Sequence, residues 1–368
     1  MKEIESSTEA VVEQSQETAQ PPHRLSRADL SSVHAAANAL VEALGQVEDG
    51  DLVAEIVANS LKMLRDETNR GDIKLVNKSF KELRYALKVF APYRDVRKVA
   101  IFGSARTPVD DPDYVAAARF GRAMAERGWM VITGAGGGIM AAGHGGAGPE
   151  PSFGLAIRLP FEQKTNEFIA GDPKLINFKY FFTRKLMFLR SSHAVVLFPG
   201  GFGTMDEGFE VLTLIQTGKS VPMPIVMVDR PGGQFWHAWQ DYVQHHLLGR
   251  KLISPEDRHL YHITDSVDDA VEHVCRFYRN FHSVRYHRDE LILRLQRAPD
   301  AAMMQRIAAE FADLVAPGGS PFRVSAALPV EADEAALAAL PRLVFGFNRR
   351  DHGRLRALID LLNTAHAG

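Results

Sequence analysis

Between residues 96 and 284 short apolar runs alternate with amphipathic stretches. Residues 96–103, 130–134, 153–159, 194–198 and 225–228 are almost continuously apolar and rich in β-branched side chains. That is the pattern of strands covered on both faces of a parallel sheet. Segments such as 114–127 and 204–217 read as the helices between them. The alternation predicts an α/β fold, a doubly wound Rossmann-like parallel sheet, over residues 93–284. In such sheets ligands bind beyond the carboxyl ends of the strands.

The flanks have different textures. Val41, Leu44 and Val47, then Val53, Ile56 and Val57, then Leu61 and Leu64 recur at helical steps. They predict a helical extension over 25–92, whose plainest role is packing or dimerisation. Residues 1–24 carry Glu3, Glu5, Glu9, Glu13 and Glu17 among Ser, Thr and Gln. They read as a disordered tail and lack the basic start and apolar stretch of a signal peptide. Beyond the central domain, 289–314 reads as a helix, 322–328 and 343–347 as short strands, and 353–362 as a last helix. Together these predict a small C-terminal α+β unit over 285–368.

Composition narrows the function. At roughly 150 residues per domain, 368 residues make two to two and a half domains. Lys plus Arg number 43 and Asp plus Glu 45, a net charge of −2, so no strongly basic surface is available for nucleic acid. No apolar run approaches the roughly 20 residues needed to span a bilayer. A cytoplasmic protein with neither a nucleic-acid nor a membrane partner is expected. Cys275 is the single cysteine, which excludes an intrachain disulfide and any multi-cysteine metal site. Neither a metal nor a cofactor is expected.

Three of the strand ends run into glycine: Gly103-Ser104-Ala105-Arg106, Gly134-Ala135-Gly136-Gly137-Gly138, and Pro199-Gly200-Gly201-Phe202-Gly203-Thr204. Glycine lets backbone amides approach a ligand, and a helix starting there aims free N–H groups at an anion. The dinucleotide fingerprint fails, because Ile139 and Asp206 stand where its last glycine would be. The Walker-like Gly218-Lys219-Ser220 fails too, since Thr213 replaces its first glycine and the segment follows a helix. A smaller phosphorylated ligand than NAD or ATP fits better.

The nine residues Pro199-Gly200-Gly201-Phe202-Gly203-Thr204-Met205-Asp206-Glu207 match the PGGxGTxxE signature of the LOG (LONELY GUY) family. Its members are nucleoside 5′-monophosphate phosphoribohydrolases, often labelled lysine decarboxylases. Thr183-Arg184-Lys185-Leu186-Met187 resembles the family's RK-containing helix start. Residues 134–147 resemble its GGGxGIMEAAxxGA segment, and Gly103-Ser104 its first loop. The resemblance covers about residues 97–280. Ala141 departs from the family's usual Glu, and Gly143-His144 from its common Ala-Asn. The two flanking units are absent from short, plant-like members, so the chain resembles a long bacterial form.

The resemblance implies hydrolysis of an N-glycosidic bond, releasing a free base and ribose 5-phosphate from AMP-like or cytokinin ribotides. It implies a homodimer or higher homo-oligomer, and Glu207 and Arg184 as catalytic residues. Gly103, Ser104, Gly136, Gly137, Gly138, Lys185, Pro199, Gly200, Gly201, Gly203 and Thr204 would bind the nucleoside 5′-monophosphate. A carboxylate near an oxocarbenium-like transition state can stabilise charge or orient water. Spacing alone leaves Glu207 a second reading, since Thr204-Met205-Asp206-Glu207 also fits a capping box. If Thr183 caps its helix, Arg184 and Lys185 occupy a first turn that disfavours cations, which suggests an anion to answer them.

Other residues keep simpler readings. Phe178, Tyr180, Phe181 and Phe182 could flank a base or fill a core. His144 could touch ligand, and Glu210 could line the pocket or face solvent. His245-His246 reads as a solvated helix end, and Asp110, Asp111 and Asp113 as a helix start. The rival functional reading is a nucleotide or cofactor carrier on the same scaffold, without hydrolysis. A lysine decarboxylase would need a pyridoxal-phosphate lysine, which no sequence context here identifies.

Overall fold

The computed structural model describes residues 29–45, 47–158 and 165–364. The expected tail at 1–24 lies outside them. The chain forms two compact units, 1–81 and 82–368. In the first, α1 (Asp29–Glu42) and α2 (Gly50–Arg65) meet through Val33, Ala37, Ala54 and Ala58, with Val41, Val57 and Leu61 packed alongside. Small side chains at the crossing let the two backbones come close. The third helix, α3 (Arg70–Phe90), starts under Asn69, whose side chain accepts from the N–H of Gly71 at 2.8 Å and of Asp72 at 3.1 Å. From Glu82 onward it belongs to the second unit.

The second unit is built on one parallel sheet. Its strands are β1 (Lys98–Phe102), β2 (Met130–Thr133), β3 (Ser152–Ile157), β4 (Leu175–Phe178), β5 (Ala194–Leu197), β6 (Ile225–Val228) and β7 (Tyr261–Thr264). Their spatial order is β4-β3-β2-β1-β5-β6-β7. Alternate residues serve opposite faces. Val99, Ile101, Val131, Val196 and Val226 pack under α4 (Pro112–Glu126), α5 (Ile139–Ala147) and α9 (Val267–Phe277). Ala100, Phe102, Ile132, Val195 and Ile225 pack with the end of α3 and with α6 (Phe181–Ser191), α7 (Phe202–Gln216) and α8 (Phe235–Tyr242). Burial on both faces explains the unbroken apolar runs. The order reverses between β1 and β5, which opens a crevice at their carboxyl ends.

A second, antiparallel sheet, β10-β11-β9-β8, joins β8 (Phe281–His287), β9 (Glu290–Leu295), β10 (Arg323–Ser325) and β11 (Arg342–Gly346). Its Leu291, Leu293 and Phe345 share one apolar core with Val99 and Phe120 of the parallel sheet layer. The helices α10 (Ala301–Glu310) and α11 (His352–Thr364) complete this part. No helix among the described residues is long and apolar enough to cross a membrane.

The structure corrects the helix expected over 289–314. Residues 290–295 are a strand, and α10 begins only after Asp300, whose carboxylate caps it by accepting from the Met303 N–H at 2.8 Å. All of 291–295 are buried, Arg294 included because Glu331 pairs with it, so the segment lacks the alternation that marks a half-exposed strand. The edge strands β4 and β7 fall outside the expected strands because, at the same length of four residues as β2, β5 and β6, they are mixed in polarity and only partly buried.

Candidate active site

The three glycine turns meet at the reversal point. Ser104 N–H donates to the Pro199 carbonyl at 3.1 Å, and Ile139 N–H donates to the Ser104 carbonyl at 3.0 Å. Gly103, Gly138 and Gly200 make this contact possible. A Cβ on Gly103 would come 2.6 Å from Ile139, one on Gly138 would strike the Ser104 carbonyl oxygen, and one on Gly200 would strike the Thr204 hydroxyl. These three glycines therefore serve loop packing.

Beyond the turns lies a cavity of about 640 Å³. Of the sequence-predicted residues, Gly103, Ser104, Gly136, Arg184, Gly201, Gly203, Thr204 and Glu207 line it. Gly137, Gly138, Pro199 and Gly200 do not line it, and Lys185 faces a small neighbouring recess with Glu207 and Glu210. Gly201 and Gly203 each have open space where a side chain would project. They sit at the start of α7, whose first N–H groups lack helical acceptors, so the cavity wall is suited to an anion.

Both cap readings are corrected. α7 begins at Phe202 with Gly201 as its cap, so Thr204 is the third helical residue and Glu207 lies a turn further on. No capping box forms, and the structural explanation for Glu207 disappears. Likewise α6 begins at Phe181 with Tyr180 as its cap. Thr183 is inside the helix, its hydroxyl 2.7 Å from Glu82 Oε2 and 3.0 Å from the Tyr180 carbonyl, and Arg184 lies just past the first turn. Glu82 Oε1 also accepts from the Lys179 N–H at 2.8 Å, so the end of α3 fixes the start of α6.

Arg184 turns inward. Its Nε donates to the Leu155 carbonyl at 2.9 Å, and its Nη2 would lie 2.5 Å from any Cβ on Gly134. Burial lowers its pKa, while the charge of Glu207 opposes that shift. Glu207 makes no hydrogen bond or ion pair among the described residues. Burial pushes its carboxyl from 4.5 to about 7; Lys185 and Arg184 pull it down, and Glu210 and Asp206 push it up. A carboxyl near neutrality, unengaged and beside a cavity, is suited to proton transfer or to orienting water. Lys185 bridges Asp206 at 2.9 Å and Glu210 at 2.6 Å. Those two carboxylates raise its pKa against the effect of burial.

The second turn is held by a buried network. Ala135 has a positive φ of 61°, unusual for a residue with a side chain. Its N–H donates to Thr133 Oγ1 at 3.0 Å and its carbonyl accepts from the Asn166 N–H at 2.9 Å. Asn166 Nδ2 donates to the Gly136 carbonyl at 3.0 Å and approaches His144 Nδ1 at 3.2 Å. His144 Nε2 lies 3.0 Å from the Phe153 carbonyl, and burial holds the imidazole neutral by lowering its pKa. His144 is thus a fully buried support that does not reach the cavity. Phe178 is core as well, whereas Phe181 is half-exposed and lines the cavity. Asp111 caps α4, accepting from the Asp113 N–H at 2.8 Å.

Sequence reasoning passed over Arg106, Met140, Ile157 and Asp206 as cavity residues. Arg106 closes the first glycine turn and Asp206 lies inside the nine-residue signature, so for these two the signal was present. Met140 and Ile157 have no chemical signature. Among the described residues no group of three or more His, Cys, Asp or Glu could hold a metal ion.

A family model described as possible lysine decarboxylase matches residues 124–274. A cytokinin riboside 5′-monophosphate phosphoribohydrolase of Mycobacterium tuberculosis (strain H37Rv) is 33% identical over 159 residues, covering 42% of this chain and 81% of that protein. Among solved structures, the molybdenum cofactor carrier protein of Chlamydomonas reinhardtii is 20% identical, with a TM-score of 0.35 over 49% of this chain and 97% of that one. The molybdenum cofactor binding protein of Rippkaea orientalis is 19% identical, with a TM-score of 0.33 over 48% of this chain and 93% of that one.

Proposed function

The chain belongs to the LOG family, and from that premise we propose that it hydrolyses the N-glycosidic bond of a nucleoside 5′-monophosphate, with AMP the first substrate to test. The observation that carries this reading is the convergence of Glu207 and Arg184 on one cavity with the open amides at the start of α7. The 5′-phosphate would lie against Gly201, Gly203 and Thr204, as an anion does at a helix N-terminus. Water's oxygen bonds to C1′ as the C1′–N bond breaks, its electron pair leaves with the base, and a proton from the water ends on the base. Ionised Glu207 would orient the water and face the positive charge developing on the ribose. Arg184, fixed by Leu155, would steady the anionic substrate.

The test is incubation with AMP, GMP, IMP, CMP and a cytokinin ribotide, with chromatographic detection of free base. Release from one or more supports the reading and ranks the bases. Nucleotide binding without release, in a protein that behaves the same as its Glu207→Gln variant, would establish a carrier. A homodimer is proposed with the same function, and sedimentation at assay concentration tests it.

A further inference from the structure

The amino-terminal ends of the parallel strands border a second cavity, of about 1070 Å³. Its floor is made by residues that immediately precede β1, β2, β5 and β6, namely Arg94 to Arg97, Arg127 to Trp129, His193, and Val221 with Pro222. It is therefore separated from the glycine turns by the length of the strands, about 15 Å at 3.3 Å per residue. The first residues of β8 and the segment around Asp333 and Glu334 close its other side.

The charge in this cavity is unbalanced. Asp333 and Glu334 are already engaged, Asp333 by Arg285 at 2.9 Å and Glu334 by Arg285 at 2.5 Å and Arg294 at 3.1 Å. Asp95 also lines the cavity and makes no ion pair among the described residues, since the nearby Lys98 ammonium is bound to the Val96 carbonyl at 2.6 Å; it is one carboxylate beside three guanidiniums. Arg127 donates to the Ala123 carbonyl at 2.9 Å and meets no carboxylate among the described residues. Arg94 and Arg97 enter no side-chain hydrogen bond or ion pair among the described residues. Arg97 is half-buried, its guanidinium carbon 4.2 Å from the Tyr278 ring centroid and 5.9 Å from that of Trp129. Its backbone carbonyl accepts from Met130 N–H at 2.9 Å, which fixes the root of the side chain in the sheet.

A guanidinium held over an aromatic ring by its charge spends none of its N–H donors there, which leaves them for an oxyanion. The neighbouring histidines feel the same field. His193 is held at about 4 by burial and by Lys98 and Arg97, and His282 is lowered by burial and then by Arg97, Arg294 and Arg342. No imidazole supplies negative charge, and with Asp333 and Glu334 engaged, Asp95 alone faces Arg94, Arg97 and Arg127 in the lining, which leaves a surplus of positive charge for a ligand.

We infer that this cavity is a second binding site, for a small phosphorylated molecule carrying at least two negative charges, held by Arg94, Arg97 and Arg127. Its volume is of the size that takes nucleotide-sized ligands. The guanidinium forks match phosphate oxygens in pairs, and the partial burial of Arg97 keeps the contact from being screened away.

Calorimetric titration of the full chain with sodium pyrophosphate tests the site. Two sites are expected, one at the glycine turns and one here. Arg97→Gln should abolish one of them or weaken it at least tenfold, while leaving the melting temperature and any AMP hydrolysis within about twofold of the parent. Arg94→Gln, at an exposed position that cannot disturb the core, should weaken the same site several-fold and answers the question if Arg97→Gln does not fold. The calorimetry reads this site whether or not AMP is hydrolysed, so failure of the proposed function leaves the result intact. Unchanged pyrophosphate binding in both variants overturns the site. Equal binding of citrate in the parent overturns its assignment to phosphate.

Discussion

Ser104 and Pro199 are joined by a 3.1 Å hydrogen bond between their backbones, which ties the turn after β1 to the turn after β5 across the point where the sheet reverses. Gly200 sits inside that tie. A methyl group there would collide with the Thr204 hydroxyl and come 3.0 Å from the Ser104 nitrogen, so the first turn of α7 or the Ser104 loop must move. Gly200→Ala should therefore destabilise the fold by about 1–3 kcal/mol, the usual cost of overpacking, and remove most base release.

Gly203 provides the contrast, because open space surrounds its missing side chain. Gly203→Ala should fold as well as the parent or gain about 0.4–1 kcal/mol from a less flexible unfolded chain. Its methyl group enters the cavity where the phosphate is proposed to lie, so KM for AMP should rise with little loss of stability. Paired denaturation and kinetics check both variants. If Gly200→Ala and Gly203→Ala behave alike, the division into packing and ligand-facing glycines is wrong.

The carboxyl of Glu207 links activity to stability with opposite signs. Burial raises its pKa from 4.5 to about 7, so the folded protein holds a proton that the unfolded chain releases between those values. Stability is greatest below pH 4.5 and is lost as pH rises through about 7. Glutamine has no such loss. Glu207→Gln should melt with the parent near pH 4.5, melt above it at pH 8, and release base at least about 100-fold more slowly. A variant as active as the parent removes the catalytic role, whatever its melting curve.

Lys185 tunes that carboxyl without sharing the main cavity. Its charge lowers the Glu207 pKa, and it also neutralises Asp206 and Glu210, which raise it. Lys185→Gln should therefore push Glu207 higher. If ionised Glu207 is the active form, the rising limb of kcat/KM against pH moves to higher pH, with activity several-fold down at pH 7 and nearly restored at pH 9. A uniform loss at every pH would instead mean that Lys185 binds substrate directly.

The parallel sheet was readable because burial on both faces leaves unbroken β-branched runs, and the cavity at its carboxyl ends because glycines follow three of those strands. The nine-residue signature pointed to Glu207, and spacing alone left a capping box open beside it, which the structure does not form. Thr204 and Thr183 look like caps by residue type, yet Gly201 and Tyr180 start the helices. Spacing records which residues could cap, whereas the actual start is set by where the backbone leaves the sheet. The contribution of Asn166 and His144 was not legible, since two buried side chains supporting the strained Ala135 turn show no periodicity. Strand β9 was missed because an ion pair lets Arg294 point inward, which erases the alternation.

That ion pair allows a test of the C-terminal sheet. Glu331 is buried between Arg294 at 2.7 Å and Arg342 at 3.1 Å, and its carboxylate also accepts from the Leu328 N–H at 3.0 Å. Burial alone would raise its pKa, but the Leu328 N–H and the two guanidiniums overcome that and hold it at about 2. Removing the carboxylate leaves the buried Arg342 without a counter-charge and Arg294 with Glu334 alone, so Glu331→Ala should cost about 3–5 kcal/mol at neutral pH. A depressed pKa contributes stability that is present above 4.5 and lost as pH falls toward about 2. The gap between parent and Glu331→Ala in urea melts should therefore narrow steadily over that interval. Because Leu291, Leu293 and Phe345 share their core with the parallel sheet, the loss should appear as one transition for residues 82–368. A separate early transition of the C-terminal strands, with base release intact, would show that the two sheets fold independently.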